Sequence, residues 1–236
     1  MSDPYLLLWL EAPLQSWGHD SKFGRRDSLD FPTKSGVFGL LCCALGVGGK
    51  QTQRLEKWAD CDMQVQAFVS MDRHGKPMPR QPLMRDFHMV GSGYDDKDPW
   101  QSLLIPKTSE GKKAVGGGTK MTYRYYLQDM AFAVALQGSK AELSELETAL
   151  RNPVWDLYLG RKNCVPTEFI AQGICTDAEH AMNKATQLAE SKSRAPVFKV
   201  LQGEHDGEVL TLNDVPLQFG EHKLYRDRRV TVLPVA

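Results

Sequence analysis

The 236-residue sequence carries no net charge: 29 Lys and Arg are matched by 29 Asp and Glu. That excludes a chain that is basic throughout, so any affinity for nucleic acid has to come from local clustering of cations. Cysteine is sparse, and Cys42, Cys43, Cys61, Cys164 and Cys175 form no C-x-x-C. Cys42 and Cys43 are adjacent in a helical stretch, where neighbouring side chains diverge by ~100° and cannot easily share a metal. All five read as small buried hydrophobes of a reducing compartment. The histidines at 19, 74, 88, 180, 205 and 222 show no H-E-x-x-H spacing, so no metal and no cofactor are expected. No apolar run approaches the ~20 residues of a spanning helix. The run Tyr5–Leu10 has no basic segment before it and no small-residue cleavage site after it. It reads as a buried strand rather than a signal peptide, which makes the cytoplasm the expected compartment, with no membrane contact.

The 42% hydrophobic and 25% charged fractions are those of a soluble globule with a sizeable core. Tyr5–Leu10 is apolar on both faces, as a central strand is. Val37, Leu40, Leu41, Ala44 and Leu45 recur at helical spacing, with Thr33 or Ser35 as cap and Gly46 as stop. A shorter helix is expected over 52–59, and Met63, Val65, Ala67, Val69 and Met71 alternate as a half-buried strand does. From His74 to Lys120 the pattern disappears among Pro77, Pro79, Pro82, Pro99 and Pro106, ending in Gly116-Gly-Gly118. Tyr123–Leu136 is again β-rich. Ser139-Lys-Ala-Glu142 is a capping box for a helix that Pro153 ends, and 154–159 is expected to be a strand. The order is β-α-β, long insertion, β-α-β, an α+β domain of split-βαβ or ferredoxin-like type over 1–160. A smaller C-terminal α/β unit, rich in β, is expected over 161–236. It holds a helix capped around 176–179, a hairpin of 197–201 with 209–212, and a short last strand at 230–233.

Cations gather where the hydrophobic period is absent. The clusters are Lys22, Arg25, Arg26 and Lys34; Arg73, His74, Lys76, Arg80 and Arg85; Lys107, Lys112, Lys113, Lys120 and Arg124 with Tyr123, Tyr125 and Tyr126; and Arg161-Lys162. Each alone is compatible with a solvated charged face, since acids such as Asp20, Asp27, Asp72 and Glu110 lie nearby. Together, cations and aromatics supply the phosphate neutralisation and stacking that single-stranded RNA needs. Gly116-Gly-Gly-Thr-Lys120 would let backbone N–H groups approach a phosphate, but it is not a P-loop. Nucleophilic catalysis has no G-x-S-x-G to support it, and Asp95-Asp96 reads as a solvated pair. His74 and His88, near Tyr94 and Lys97, are groups a metal-independent ribonuclease would use, with a base to activate a 2′-OH and a cation to steady the phosphorane. Their spacing selects no triad.

Several segments taken together carry a resemblance. Leu10-Glu-Ala-Pro-Leu-Gln-Ser-Trp-Gly18 resembles L-x-x-P-[LM]-Q-[AS]-W-G, and Phe31-Pro-Thr-Lys-Ser-Gly-Val-Phe-Gly-Leu-Leu41 with Ala44-Leu-Gly46 resembles F-P-T-[RK]-S-G-hydrophobic-G-L-L…A-L-G. Thr122-x-Arg124-x-Tyr126-Leu127-x-Asp129-x-Ala131-Phe132 resembles T-x-R-x-Y-L-x-D-A-x-F, with Ala131 one place late. Leu159-Gly-Arg-Lys-Asn-Cys164 resembles L-G-R-[KR]-S-C-P, with Asn163 for Ser and Val165 before Pro166. Taken together, the segments resemble those of the CasD-type RAMP subunits of type I-E CRISPR Cascade. The resemblance covers 5–166; the remaining C-terminal residues match only in character.

The resemblance implies a ferredoxin-like, RRM-related βαββαβ fold with a protruding thumb, placed at 74–120. It implies a non-catalytic subunit that holds the 5′ handle of the crRNA, caps a CasC-type backbone filament, abuts the large CasA-type subunit and meets target DNA only through the complex. The RNA groove would then be lined by Lys22, Arg25, Arg26, Lys34, Ser35, Lys107, Lys113, Lys120, Tyr123, Arg124, Arg161 and Lys162. Trp17 is equally suited to stack on RNA or to pack in the core. In type I-C relatives this subunit cuts the crRNA precursor, so a metal-independent endoribonuclease is the alternative. A protein scaffold without RNA is a third reading.

Overall fold

The computed structural model describes residues 3–19, 21, 24–90, 97–103, 107–112 and 120–235. Its strands are β1 Tyr5–Glu11, β2 Leu14–Gln15, β3 Arg25–Arg26, β4 Met63–Ser70, β5 Met84–Val90, β6 Lys120–Gln128, β7 Ala131–Gln137, β8 Ala171–Cys175, β9 Arg194–Gln202, β10 Glu208–Gln218 and β11 Leu224–Pro234. Its helices are α1 Lys34–Leu45, α2 Thr52–Ala59, α3 Pro99–Ser102, α4 Lys140–Arg151 and α5 Ala178–Ser191. The architecture is α+β and dominated by antiparallel sheet.

Seven strands form the main sheet in the order β10-β11-β9-β4-β7-β1-β8, every neighbour antiparallel. β1 is central to its half and buried on both faces, which is why it reads as a continuous apolar run. Leu6, Leu8 and Leu10 face the side of α1 and α4, packing with Phe38, Leu41, Leu143 and Leu146. Leu7 and Trp9 face the other side, where Ala181, Ala185 and Ala189 bring α5 close against Ala131, Ala133 and Ala135. Small residues on both surfaces permit that close approach. Trp9 and Phe68 fill the space beside it, ring centroids 5.2 Å apart.

The helix starts follow their capping residues. Thr33 Oγ1 accepts from Gly36 N at 3.1 Å, and Ser139 Oγ accepts from Glu142 N at 3.3 Å while donating to its carboxylate. α5 is capped by Asp177, which accepts from His180 N at 2.8 Å. Gly46 closes α1 at φ 68°. A second tether holds the α1 start: Lys34 N donates to Asp214 Oδ2 at 2.7 Å. Asp214 is itself bound by Arg228 Nε at 2.7 Å, a buried pair that ties β10 and β11 to α1.

Four expectations change. Residues 154–159 are not a strand; the edge strand beside β1 is β8, and 154–170 is an irregular segment that starts against the end of α1, Val154 N donating to Ala44 O, and finishes along β1, Trp9 N donating to Ile170 O. Local apolar content marked neither pairing nor burial there: Val154 and Trp155 are exposed, and of 154–159 only Leu159 is buried. The 197–201 and 209–212 segments do not form a hairpin, because β11 lies between β9 and β10. The final strand is long rather than short, running over Leu224–Pro234. Finally, the Tyr123–Leu136 run is broken at Asp129, whose φ is 46°. There the chain passes from β6, in a second sheet, to β7 in the first.

Candidate nucleic-acid interface

The second sheet holds β2, β3, β5 and β6. β5 arises within the proline-rich 74–120 stretch and pairs with β6 antiparallel, from Met84 opposite Tyr126 to Val90 opposite Lys120. β3 runs parallel to β6, Arg25 opposite Tyr123 and Arg26 opposite Arg124. Because β3 and β5 both pair with 123–124, they occupy opposite edges of β6. Residues 91–96, 104–106 and 113–119, including Tyr94, Asp95-Asp96, Lys113 and Gly116-Gly-Gly118, lie outside the described residues, as do Asp20 and Lys22.

Partners across a ladder share a face. One face carries Arg85 with Tyr125, Phe87 with Tyr123, Met89 with Met121, and Arg25. It is open: Phe87 is 50% exposed, Tyr123 44% and Met121 58%. The Phe87 and Tyr123 rings lie 5.3 Å apart. The Arg85 guanidinium sits 5.6 Å over the Tyr123 ring and that of Arg25 5.0 Å over Tyr125. Asp27 accepts both bonds of Arg25 Nε at 2.8 Å, fixing the guanidinium above its ring. Exposed aromatics held by cations offer stacking and phosphate attraction on one surface.

The opposite face turns inward. Tyr126 is fully buried and Thr122 nearly so, with Arg124 half-buried between them and Lys120 exposed at the end of the same row. Arg161 lies 4.7 Å over the Tyr126 ring and donates to Arg26 O at 2.7 Å and Tyr125 O at 3.3 Å. Much of its donor capacity holds β3 and β6 together. The turn that carries it, closed by Leu159 N to Cys164 O at 2.8 Å, leaves Lys162 exposed at its tip. Gly160 sits there at φ 91°, and a Cβ on it would lie 1.6 Å from Ser16 O. The L-G-R segment thus needs glycine for close backbone approach and arginine for bracing.

Lys34 leaves the set of RNA ligands. It is fully buried, donating from Nζ to Ala59 O at 2.8 Å and Cys61 O at 2.6 Å. Burial pushes its ammonium below the ordinary lysine range. Its helical position pointed it inward, a direction that no count of cations reveals. Trp17 is core: 1% exposed, with Nε1 donating to Gln15 Oε1 at 3.1 Å. Ser35 is half-buried on the first turn of α1, and Lys107 is exposed on a turn ending at Lys112. Arg85, Phe87 and Tyr125 were missing from the expected groove. Alternation of Arg85, Phe87 and Met89 was the available signal, hidden by the surrounding prolines.

No cluster of His, Cys, Asp or Glu suited to a metal occurs among the described residues. No described helix is long and apolar enough to cross a membrane.

The family described as CRISPR-associated protein (Cas_Cas5) matches residues 5–231. The chain belongs to the CRISPR-associated Cas5 family. This Cas5-family chain is 34% identical over 176 residues to the CRISPR system Cascade subunit CasD of Escherichia coli (strain K12), a match spanning 72% of this chain and 71% of the relative. It also resembles a solved chain of a CRISPR RNA-guided surveillance complex, with TM-score 0.70, 29% identity, and coverage of 98% of this chain and 90% of the other. A second structure, described as a Cas protein, aligns with TM-score 0.55 and 28% identity over 98% of this chain and 95% of its own. The resemblance read from the motifs therefore holds.

Proposed function

We propose that this Cas5-family protein is a non-catalytic RNA-binding subunit of a Cascade-type ribonucleoprotein used in antiviral DNA interference. In this reading it holds the 5′ handle of the crRNA and caps a CasC-type backbone filament beside a CasA-type subunit. Its first unit is a ferredoxin-like RAMP domain. The order β4-β7-β1-β8, with α1 and α4 on one face, supports that assignment. We place the end of this unit after β8 and assign 74–120 to the thumb, with β5 and β6 as its roots. An RRM binds RNA on its open sheet face, but here α5 occupies that face. The RNA is therefore assigned to the second sheet.

The observation that carries the proposal is the row of exposed Arg25, Arg85, Phe87 and Tyr123 with half-buried Tyr125. Unpaired bases stack on such rings, and each stack is worth about 1–3 kcal/mol. Filter binding of handle RNA tests it: Tyr123→Ala should weaken binding by roughly tenfold or more. Unchanged affinity of Tyr123→Ala and Phe87→Ala would place the RNA elsewhere.

A specific pair favours the endoribonuclease as second reading. His88 Nε2 is hydrogen-bonded to Asp86 on the half-buried face of β5, and Asp86 lies opposite Arg124. A carboxylate-oriented imidazole beside a cation is the beginning of base catalysis on a 2′-OH. Incubating the protein with repeat RNA in EDTA decides between them. Intact RNA is the expected outcome; cleavage that His88→Ala abolishes would establish the enzyme.

A further inference from the structure

Among the described residues the chain crosses between the two sheets once through α1 and α2, from β3 to β4, and directly at three further points. It leaves β1 at Glu11 toward β2 and β3, leaves β4 at Ser70 toward β5, and returns from β6 through Asp129 into β7. All three direct crossings meet at one side chain. Arg194, the first residue of β9, donates from Nη2 to Glu11 Oε1 at 2.7 Å and to Asp129 Oδ1 at 2.9 Å. Its Nη1 donates to Asp129 O at 2.8 Å and its Nε to Glu11 Oε1 at 3.1 Å. Ser70 Oγ donates to Asp129 Oδ2 at 2.7 Å, and the backbone next to Arg194 joins in, Met71 N donating to Ser193 O at 2.9 Å. Glu11 is held from its other oxygen by Trp9 Nε1 at 2.6 Å. We propose that Arg194 is a positioning residue that fixes the second sheet, and with it the RNA-binding face, at a set angle to the main sheet.

The physical case rests on geometry and burial. Asp129 adopts a left-handed conformation without being glycine, a conformation that persists only where surroundings over-determine it. The Arg194 side chain is 8% exposed and that of Glu11 15%, so their charges are little screened. A planar guanidinium serves two carboxylates and a carbonyl at once; an ammonium cannot match that fork. Nothing else in this arrangement requires arginine, since β9 pairs with β4 through its backbone. Arg194 also comes from the C-terminal segment, where the motif resemblance is weakest. It ties that segment to the root of the insertion, and so gives β9 a role in RNA binding without an RNA contact.

The inference rests on the RNA-binding reading for its functional consequence, but its structural part is tested without RNA. Arg194→Leu, Arg194→Lys and Ser70→Ala would be compared with wild type by hydrogen exchange. The expected result is faster exchange in β5 and β6, with β1 and β7 unchanged, graded Leu over Lys over Ser70→Ala. Unchanged β5 and β6 in the Leu and Lys variants would overturn the proposal, as would equal loosening of both sheets. If Arg194→Leu fails to fold, the Lys and Ser70→Ala variants carry the same comparison. On handle RNA, Arg194→Leu should lose about tenfold in affinity while the log–log salt slope stays constant. A slope reduced by about 0.7 would mean that Arg194 contacts a phosphate itself, and would overturn the positioning role. Wild-type protein that binds no RNA would sink the functional reading and leave the exchange result standing.

Discussion

Lys34 shows how far a residue's role departs from its formal charge. Its ammonium replaces the missing partners of two carbonyls at the end of α2, and Lys34→Met would leave Ala59 O and Cys61 O without this donor. That change should cost about 1–3 kcal/mol, read from urea midpoints. The pH dependence has a definite sign. Burial holds the folded-state value below the ordinary 10.5, so the unfolded chain binds this proton more tightly. The penalty is fully present below the depressed value and relieved as pH rises through it toward 10.5. Cys61 opposes this, because burial pushes its thiol up to about 11 and the unfolded thiol ionises first. Lys34→Met also removes the cation that draws the Cys61 thiol down, so both effects act in one direction: wild type should gain stability relative to the variant on alkaline titration. A parallel pair of curves would refute the assignment. Gly160 is the second residue of this kind. Gly160→Ala sets a methyl against Ser16 O at φ 91°, so it should destabilise by about 3 kcal/mol or more, checked by thermal melting.

At the scale of elements, β6 reconciles two tasks through its alternation. Thr122 and Tyr126 point inward, and Met121, Tyr123 and Tyr125 point out, where β5 extends them with Arg85, Phe87 and Met89. Substitutions on the open face should spare the fold and cost RNA affinity. Phe87→Ala is expected to change stability by no more than about 0.5 kcal/mol, as an exposed position does, while weakening handle binding. Arg124 tests the other face. It is half-buried beside Tyr126, so Arg124→Ala should lower stability and RNA affinity together, separable by melting and filter binding. Lys140, exposed at the start of α4, is the control expected to change neither.

For the whole molecule, zero net charge and a local cationic face predict selectivity by shape rather than by charge alone. Affinity for single-stranded handle RNA should fall with salt, by about −0.7 in log–log slope for each phosphate contact. Random duplex DNA should bind weakly under the same conditions, because the chain carries no net positive charge. Equal affinity for both in a competition assay would mean diffuse electrostatics. The arrangement of α5 adds a constraint: with the second face of the main sheet filled by Ala181, Ala185 and Ala189, RNA cannot lie there without displacing a helix.

The sequence by itself determined the elements whose signals are local. Thr33, Ser139 and Gly46 mark helix ends that the structure reproduces, and the apolar run of β1 marks a strand buried on both sides. It also carried the family, since the motif segments combine caps, close glycine contacts and braces that are hard to replace. Tertiary structure alone decided which strands are neighbours. β11 enters between β9 and β10, and β8 rather than 154–159 joins β1, because pairing is a competition among distant segments that no window of sequence contains. It also decided which cations face solvent. Lys34 and Arg161 are spent on carbonyls, while Arg25 and Arg85 stand over rings in the open. Charge is a property of the residue; its availability depends on the desolvation and partners that only the folded chain supplies.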